Sequence, residues 1–425
     1  MKKLALAVLA VVLAAGAVAC SKNATGPVGG VFAAAGMPTA KSDSAPLDPR
    51  LASAINGFGF DLLRRRDTGG APGNVTVISP VSVHIALGMA ANGASGETLA
   101  EMRHTLRLDA MTEADSNQAY ADLIGHMNAQ SDFQLDIANS LWLDEGFSAK
   151  EGFLSADKRF FGAELRSLDL QAPSAPAAIN DWVKQNTGGR IKEVVTKNDL
   201  SAAVLELVNA VYFKADWVTP FAAEATGARP FHFADGSTAN VDMLSGTESW
   251  RHVMHADYEA IELPYAGGSA SMIVVKTSPM SSAISGVPAL TAETFARLRS
   301  ELASAAPERG SLELPKVEVE WAGELGGDLK ALSMTKAFDV ADADFGRLSD
   351  AKPLSIGSVI HKTYLRVDEK GTEAAAVTAV GMYGSAVPAQ PTFLMTVDSP
   401  YLMAIVDNDS GAVLFLATIR DPRAK

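Results

Sequence analysis

The sequence predicts one large domain of mixed α+β class. Three observations carry that expectation. Residues 51–425 run without a linker-like break or fixed-period repeat, helical apolar spacing marks the first part of that stretch, and strand patterns mark the C-terminal part. Composition agrees: of 425 residues, 48% are hydrophobic and 20% charged, as in ordinary globular proteins. Collagen-like, disordered and multi-span membrane chains are thereby excluded.

Leu51, Ile55, Phe58 and Leu62 recur at spacings of four, three and four, which places them on one helical face, and Asp67 to Gly70 stops the helix. A short strand follows at Val75 to Ile78. Ser79 offers an N-cap oxygen and Pro80 fits the first helical position, opening a helix with Val83, Ala86, Leu87 and Ala90 inward and Asn92-Gly93 at its end. Ser95 starts the next helix, with Leu99, Met102 and Leu106 inward. Phe133, Leu135 and Ile137 alternate with polar residues as in a half-buried strand. A helix over about Ala178 to Asn186 ends at Gly188-Gly189, and Val204 to Phe213 is apolar enough for a central strand. Paired strands are expected at Ala260–Leu263 and Ser271–Lys276, joined through Gly267-Gly268. Single strands are expected at Ser311–Glu318, Val359–Val367, from near Thr392 to Val397, Tyr401–Val406 and Ala412–Ile419.

The N-terminus reads as targeting, not fold. Lys2 and Lys3 precede an apolar run from Leu4 to Ala19, short for a membrane span and right for a signal-peptide core. The run Ala17-Val18-Ala19-Cys20 resembles a bacterial lipobox, with residues 1–19 removed and Cys20 acylated; Ala17 stands where leucine is usual, which leaves cleavage with simple secretion as the alternative. The product is expected at the cell envelope or surface, or secreted. Cys20 is the only cysteine, so the mature domain has no disulfide and packing alone must hold it. Residues 20–50, rich in Ala, Gly, Ser and Pro, read as a flexible tether to the domain at 51–425. Losing the two leader lysines takes the formal charge from −13 to −15, a surface that repels polyanions and argues against a nucleic-acid partner.

One stretch does not fit a compact domain. Glu369 to Gln390, EKGTEAAAVTAVGMYGSAVPAQ, has side chains too small to build a core, and loops of this length are usually functional. At period two, Thr372, Ala374, Ala376, Thr378 and Val380 share one face and Glu373, Ala375, Val377 and Ala379 the other. No proline precedes Pro388, so every residue from Gly371 to Ala386 can donate a ladder hydrogen bond. The segment reads either as a latent strand or as an alanine-rich disordered connector.

With this segment in view, the chain resembles the serpins over essentially all of residues 51–425. EKGTEAAAVTA at Glu369–Ala379 looks like the hinge of inhibitory members. Other blocks follow in family order: ISPVSV from Ile78, ANSLWL from Ala138, INDWVKQNTGGRI from Ile179, LVNAVYFKADW from Leu207, LELPKVEVE from Leu312, and His361-Lys362. Departures are Val377, where a small residue is usual, and Ser333, where glycine often sits. The resemblance implies three β-sheets, about nine helices, an exposed reactive-centre loop, a monomer, no cofactor and no catalytic residue of the chain's own.

It also implies a function, suicide inhibition of serine proteases. The loop is cleaved, and its insertion into the main sheet outruns deacylation, a travel on the order of 50 Å for about fifteen residues at roughly 3.3 Å each. The hinge is Glu369, Gly371, Thr372, Glu373, Ala374, Ala375, Ala376 and Thr378. Counting from Glu369 places the scissile bond at Ser385-Ala386, with Tyr383 and Gly384 as neighbouring alternatives. Ser385 suggests an elastase-like or subtilisin-like target, and Tyr383 would instead invite a chymotrypsin-like one. Ser79, Ser82, Asn209 and His361 match the polar cluster beneath the opening sheet, Lys316 and Glu369 the pair at its top, and Trp217 packs nearby.

Competing chemistry is thin. Ser155 with Lys158 and Ser333 with Lys336 have the Ser-x-x-Lys spacing of β-lactam-recognising acylases, about as many matches as chance provides, and the companion motif fails because Lys362-Thr363 continues with Tyr364. His252 and His255 would share a helix face as metal ligands, but without carboxylate support. A non-inhibitory binding or chaperone module is the remaining alternative, against which the small hinge residues argue.

Overall fold

The computed structural model describes residues 47–68, 75–163, 165–200, 204–281, 286–372 and 390–424. The first half holds α1 (Pro49–Thr68), β1 (Val75–Ile78), α2 (Pro80–Gly93), α3 (Gly96–Thr105) and α4 (Glu113–Ala129). Then come β2 (Gln134–Asp144), α5 (Glu151–Phe161), β3 (Leu165–Leu168), α6 (Ala175–Asn186) and β4 (Leu205–Asp216). The middle is β5 (Gly227–His232), β6 (Thr238–Met254), β7 (Tyr258–Pro264), β8 (Ala270–Thr277) and α7 (Ala292–Ser304). The rest is β9 (Glu308–Pro315), β10 (Val317–Glu324), α8 (Gly326–Ala331), β11 (Ile356–Val367), β12 (Gly371–Thr372), β13 (Phe393–Thr396), β14 (Tyr401–Asp407) and β15 (Val413–Ile419).

The predicted start of α2 has its physical cause in place, whereas Ser95, expected to cap the next helix, precedes α3 without a side-chain capping bond. The Ser79 hydroxyl accepts the Ser82 N–H and Pro80 leads α2, which is buried on nearly every side, as a helix apolar all round must be. α4 was not evident from apolar spacing; a reciprocal capping box between Thr112 and Asp115 begins it. Ser333, where the resemblance favours glycine, sits at φ 79°, the left-handed region that favours that residue.

Two expectations are corrected. Residues 311–318 form two strands, not one: Pro315 has no N–H to give, the Lys316 N–H turns to the Asp242 carbonyl at 2.8 Å, and the chain leaves β9, paired with β6, for β10, paired with β11. His252 and His255 belong to β6 and the residue just beyond it, not to a helix, and each meets its own carboxylate: Glu259 at 2.9 Å and Glu301 at 2.8 Å.

The strands join in two hydrogen-bonded networks. One runs β1-β15-β14-β8-β7-β6-β9-β13, with β5 also on β6; the other runs β10-β11-β12-β4-β2-β3. In the first, the long β6 pairs with β9 over Met243–Trp250 and with β7 over Arg251–Met254, so it passes from one sheet to the next and makes three sheets of two networks. Eight α-helices and two short 3-10 turns pack around them among the described residues. The main core lies between the sheets and α1–α2, and a second, smaller one with Trp142, Ile179, Val183, Val208 and Ile360 lies beneath α6 on the outer face of the six-stranded sheet.

Candidate functional site

The site is the seam between β4 and β11. These strands pair in parallel from Leu205 and Ile356 to Tyr212 and Tyr364. Above that point they part, and β12 lies between them: Thr372 pairs with Val367 of β11 and Ala215 of β4, and Gly371 with Asp216. Gly371 is required there, since a Cβ would stand 2.1 Å from the Ala215 carbonyl oxygen. Thr372 is fully buried and its hydroxyl meets the Tyr265 hydroxyl at 2.6 Å.

The turn before β12 is fastened from both sides. The Trp217 N–H donates to the Lys370 carbonyl at 2.8 Å, the Phe221 N–H to the Glu369 carbonyl at 2.7 Å, and the Trp217 indole N–H to the Asp368 carbonyl at 3.0 Å. Trp217 stacks on Tyr265 with ring centres 4.5 Å apart, continuing the hinge into the core. The Lys316 ammonium donates to both Glu369 oxygens at 2.9 Å, and the Thr226 hydroxyl to one of them at 2.9 Å. Burial pulls Glu369 upward, but these bonds outweigh it and hold the carboxyl below its usual range. Lys316 reaches Glu369 because β9 and β10 divide at that residue.

Halfway down the seam, the N-terminus of α2 meets the inner face of the sheet. His361 and Asn209 sit opposite one another on β11 and β4. The Ser79 N–H donates to His361 Nε2 at 2.9 Å, which fixes that nitrogen as the acceptor of a neutral imidazole; full burial lowers its pKa to about 3. The Ser82 hydroxyl donates to Asn139 Oδ1 at 3.2 Å, Asn139 returns a bond to the Ser82 carbonyl at 3.1 Å, and the Asn209 amide donates to both Ser82 Oγ and Asn139 Oδ1. Every member is uncharged, so bonds within the cluster can be exchanged without stranding a charge in a dry site.

The structure therefore brings together Ser79, Ser82, Asn209 and His361 in one cluster and Lys316, Glu369, Gly371, Thr372 and Trp217 in another. Glu373, Ala374, Ala375, Ala376, Thr378, Tyr383, Gly384, Ser385, Ala386 and Cys20 lie outside the described residues. Asn139, Tyr265 and Thr226 belong to these clusters and were not singled out from sequence. The available signal for Asn139 was a polar residue inside an apolar strand, whereas Tyr265 and Thr226 carried none. Ser155 and Lys158 lie exposed on α5, and Lys336 pairs with Glu97 beside exposed Ser333, as expected of surface matches. Among the described residues, His126, Asp407 and Asp409 bring one potential metal-ligand atom each within 4.8 Å of the others; the His126–Asp407 bond at 3.1 Å fastens α4 to the β14–β15 turn, and Asp407 also accepts the Ser410 N–H.

Sheet order, buried cluster and clamped turn define a class: α+β proteins whose main sheet holds a short strand, here Gly371–Thr372, between two central strands. The chain belongs to the serpin family, whose model, described as serpin (serine protease inhibitor), matches residues 53–422. An uncharacterized serpin-like protein of Thermococcus kodakarensis is 33% identical over 396 residues, 91% of this chain and 90% of that one. A leukocyte elastase inhibitor of Xenopus tropicalis is 31% identical over 380 residues, 88% of this chain and 99% of its own length. The native-state structure of the thermophilic serpin tengpin superposes with a TM-score of 0.79 at 28% identity, covering 89% of this chain and 96% of that one. The family includes protease inhibitors.

Proposed function

We propose that this chain inhibits serine endopeptidases as a suicide substrate. The observation that carries this reading is the register of Gly371 and Thr372, already hydrogen-bonded between β11 and β4. If a cleaved loop continued at that register, Thr378 would lie opposite both Asn209 and His361, the two residues that now face each other across the seam. Thr372 points into the core, so Ala374, Ala376, Thr378 and Val380 would follow it there, a face small enough to slide over existing packing.

The protease's serine Oγ attacks the Ser385 carbonyl carbon. An ester forms, the Ser385–Ala386 amide bond breaks, and Ala386 leaves as an amine carrying a proton supplied by the protease's own histidine. Insertion then carries the acyl-enzyme down the sheet before water attacks the ester. The small residue at 385, and relatives named leukocyte elastase inhibitor, support an elastase-like or subtilisin-like target. The test is incubation with a panel of serine proteases followed by denaturing gels. A covalent complex with at least one such enzyme is expected, and cleavage without a complex across the panel would overturn the reading.

Placement at the cell envelope through an acylated Cys20 belongs to the same proposal and rests on the apolar leader alone. Cys20→Ala should abolish partition into detergent; equal partition of variant and parent would remove the anchor.

A further inference from the structure

The lower end of the seam carries a side chain that neither cluster explains. Glu206 of β4 is fully buried on the outer face of the sheet with Val208 and Ala210, the one acid in the mainly apolar run from Leu205 to Phe213. It sits opposite Ser358 of β11, beside the irregularity where the β4–β11 register shifts. The Ser358 hydroxyl bonds to Glu206 Oε1 directly across the seam, while Oε2 is buried with no hydrogen-bond partner. Two other carboxylates bear on it: Asp199, on the segment leading into β4, and Glu324, at the end of β10, whose Oε1 accepts the Val359 N–H at 3.3 Å.

We propose that Glu206 and Ser358 form a proton-held clasp at the lower end of the β4–β11 seam, closed while the acid is neutral and released when it ionises. Oε2 is unpaired in either form, but an ionised Glu206 would add a buried charge next to two like charges, and the neutral acid avoids that larger cost. Burial first, then Asp199 and Glu324, pushes Glu206 up to about 8 against the lowering effect of Ser358. Opening the seam would admit water and return Glu206 to its ordinary value. Opening therefore becomes easier as pH climbs from the ordinary glutamate range to about 8, and is level above it. For the inhibitory reading, on which the consequence for trapping rests, Glu206 is a residue that sets how readily the sheet accepts a strand.

The test is amide hydrogen exchange of the intact protein across pH 5 to 9, corrected for the intrinsic chemical rate, read over residues 205–208 and 358–360. Protection should fall with pH, by up to about tenfold per unit, and level near 8. Glu206→Gln, which keeps a neutral partner for Ser358, should flatten the profile; Ser358→Ala should lower protection at acidic pH while leaving the slope. A flat wild-type profile, or an unchanged slope in Glu206→Gln, would overturn the clasp. Trapping of a protease is scored separately on gels. Complex formation with a flat exchange profile removes the clasp alone, and the expected profile without any complex removes the inhibitory reading alone.

Discussion

The two ends of the β4–β11 seam are held by opposite chemistry. At the upper end, β12 already separates the strands, and the fastening is an ionised pair within reach of water, with the Lys316 and Glu369 side chains 34% and 18% exposed. At the lower end the strands touch, and the fastening is a fully buried acid against a hydroxyl. Their pH signs differ as well. Glu369 is held below its usual range, so its contribution is present above that range and is lost as pH falls through the lowered value. Glu206 is raised, so the penalty it imposes grows as pH rises toward about 8. Between them lies the neutral cluster around His361. The contrast teaches where a strand can enter: releasing a solvated pair costs about 0–1 kcal/mol, while an unsatisfied buried polar group costs about 1–3 kcal/mol.

The largest expected effect comes from forcing a charge into the entry. Thr372→Arg puts a guanidinium where Thr372 is buried against Tyr265, and burying an unpaired charge costs at least several kcal/mol, on the order of the largest single-residue effects. The hinge should be expelled and insertion should lose its race with deacylation. Denaturing gels should then show cleavage at the unchanged bond, release of active protease and almost no complex. Glu373→Arg, on the alternate face, should retain most of the complex. Equal loss in both variants would show that the face assignment, and the latent strand with it, is mistaken.

A middle-sized effect belongs to the neutral cluster. Asn209→Ala removes the amide that donates to Ser82 and Asn139, and should lower unfolding stability by about 1–3 kcal/mol in urea titration. Acid should attack the packing of α2, whose N-terminus meets His361 and which itself carries His84, bonded to the Leu106 carbonyl and the Tyr120 hydroxyl. His361 and His84 are fully buried, and burial lowers their values to about 3 and about 4. The unfolded chain protonates them below about 6.5, so their stabilisation is complete above that pH and is lost as pH falls toward 4 and 3, by about 2 kcal/mol each at pH 5. Glu206 works against this loss, because acid relieves its penalty. Glu206→Gln should therefore make the fall in stability from pH 7 to pH 5 steeper than in the wild type. A shallower fall would place the two ends of the seam on the same pH sign and dissolve the contrast.

How much of this was legible in the sequence follows from how local each signal is. The helix starts at Ser79 and Pro80 and the apolar β4 were readable, because capping and burial on both faces leave marks within a few residues. The β9–β10 division left only a faint mark, Pro315 and a one-residue shift of the apolar alternation from Leu312 and Leu314 to Val317 and Val319, and it is pairing with two different strands that separates them. Lys316, Glu369 and the polar cluster were named through resemblance, since no local rule brings Ser79 next to His361 across 282 positions. Tyr265 and Thr226 are ordinary residues until the fold lays β12 beside them. Glu206 was visible as an acid in an apolar run, and what it faces depends on β11, about 150 residues later.

The smallest expected effect is at the pair that looks most like a lock. Lys316→Ala removes the ammonium but leaves Glu369 with the Thr226 hydroxyl and access to water, so the remaining carboxylate is not stranded. With both side chains partly exposed, solvent screening holds the change in unfolding stability to about 0–1 kcal/mol. The effect should instead be local: faster amide exchange over residues 369–372, where Trp217 and Phe221 hold the backbone, with little change over 205–208. A loss of several kcal/mol would mean that the upper end is as dry as the lower, and that entry of a strand there must break a buried ion pair.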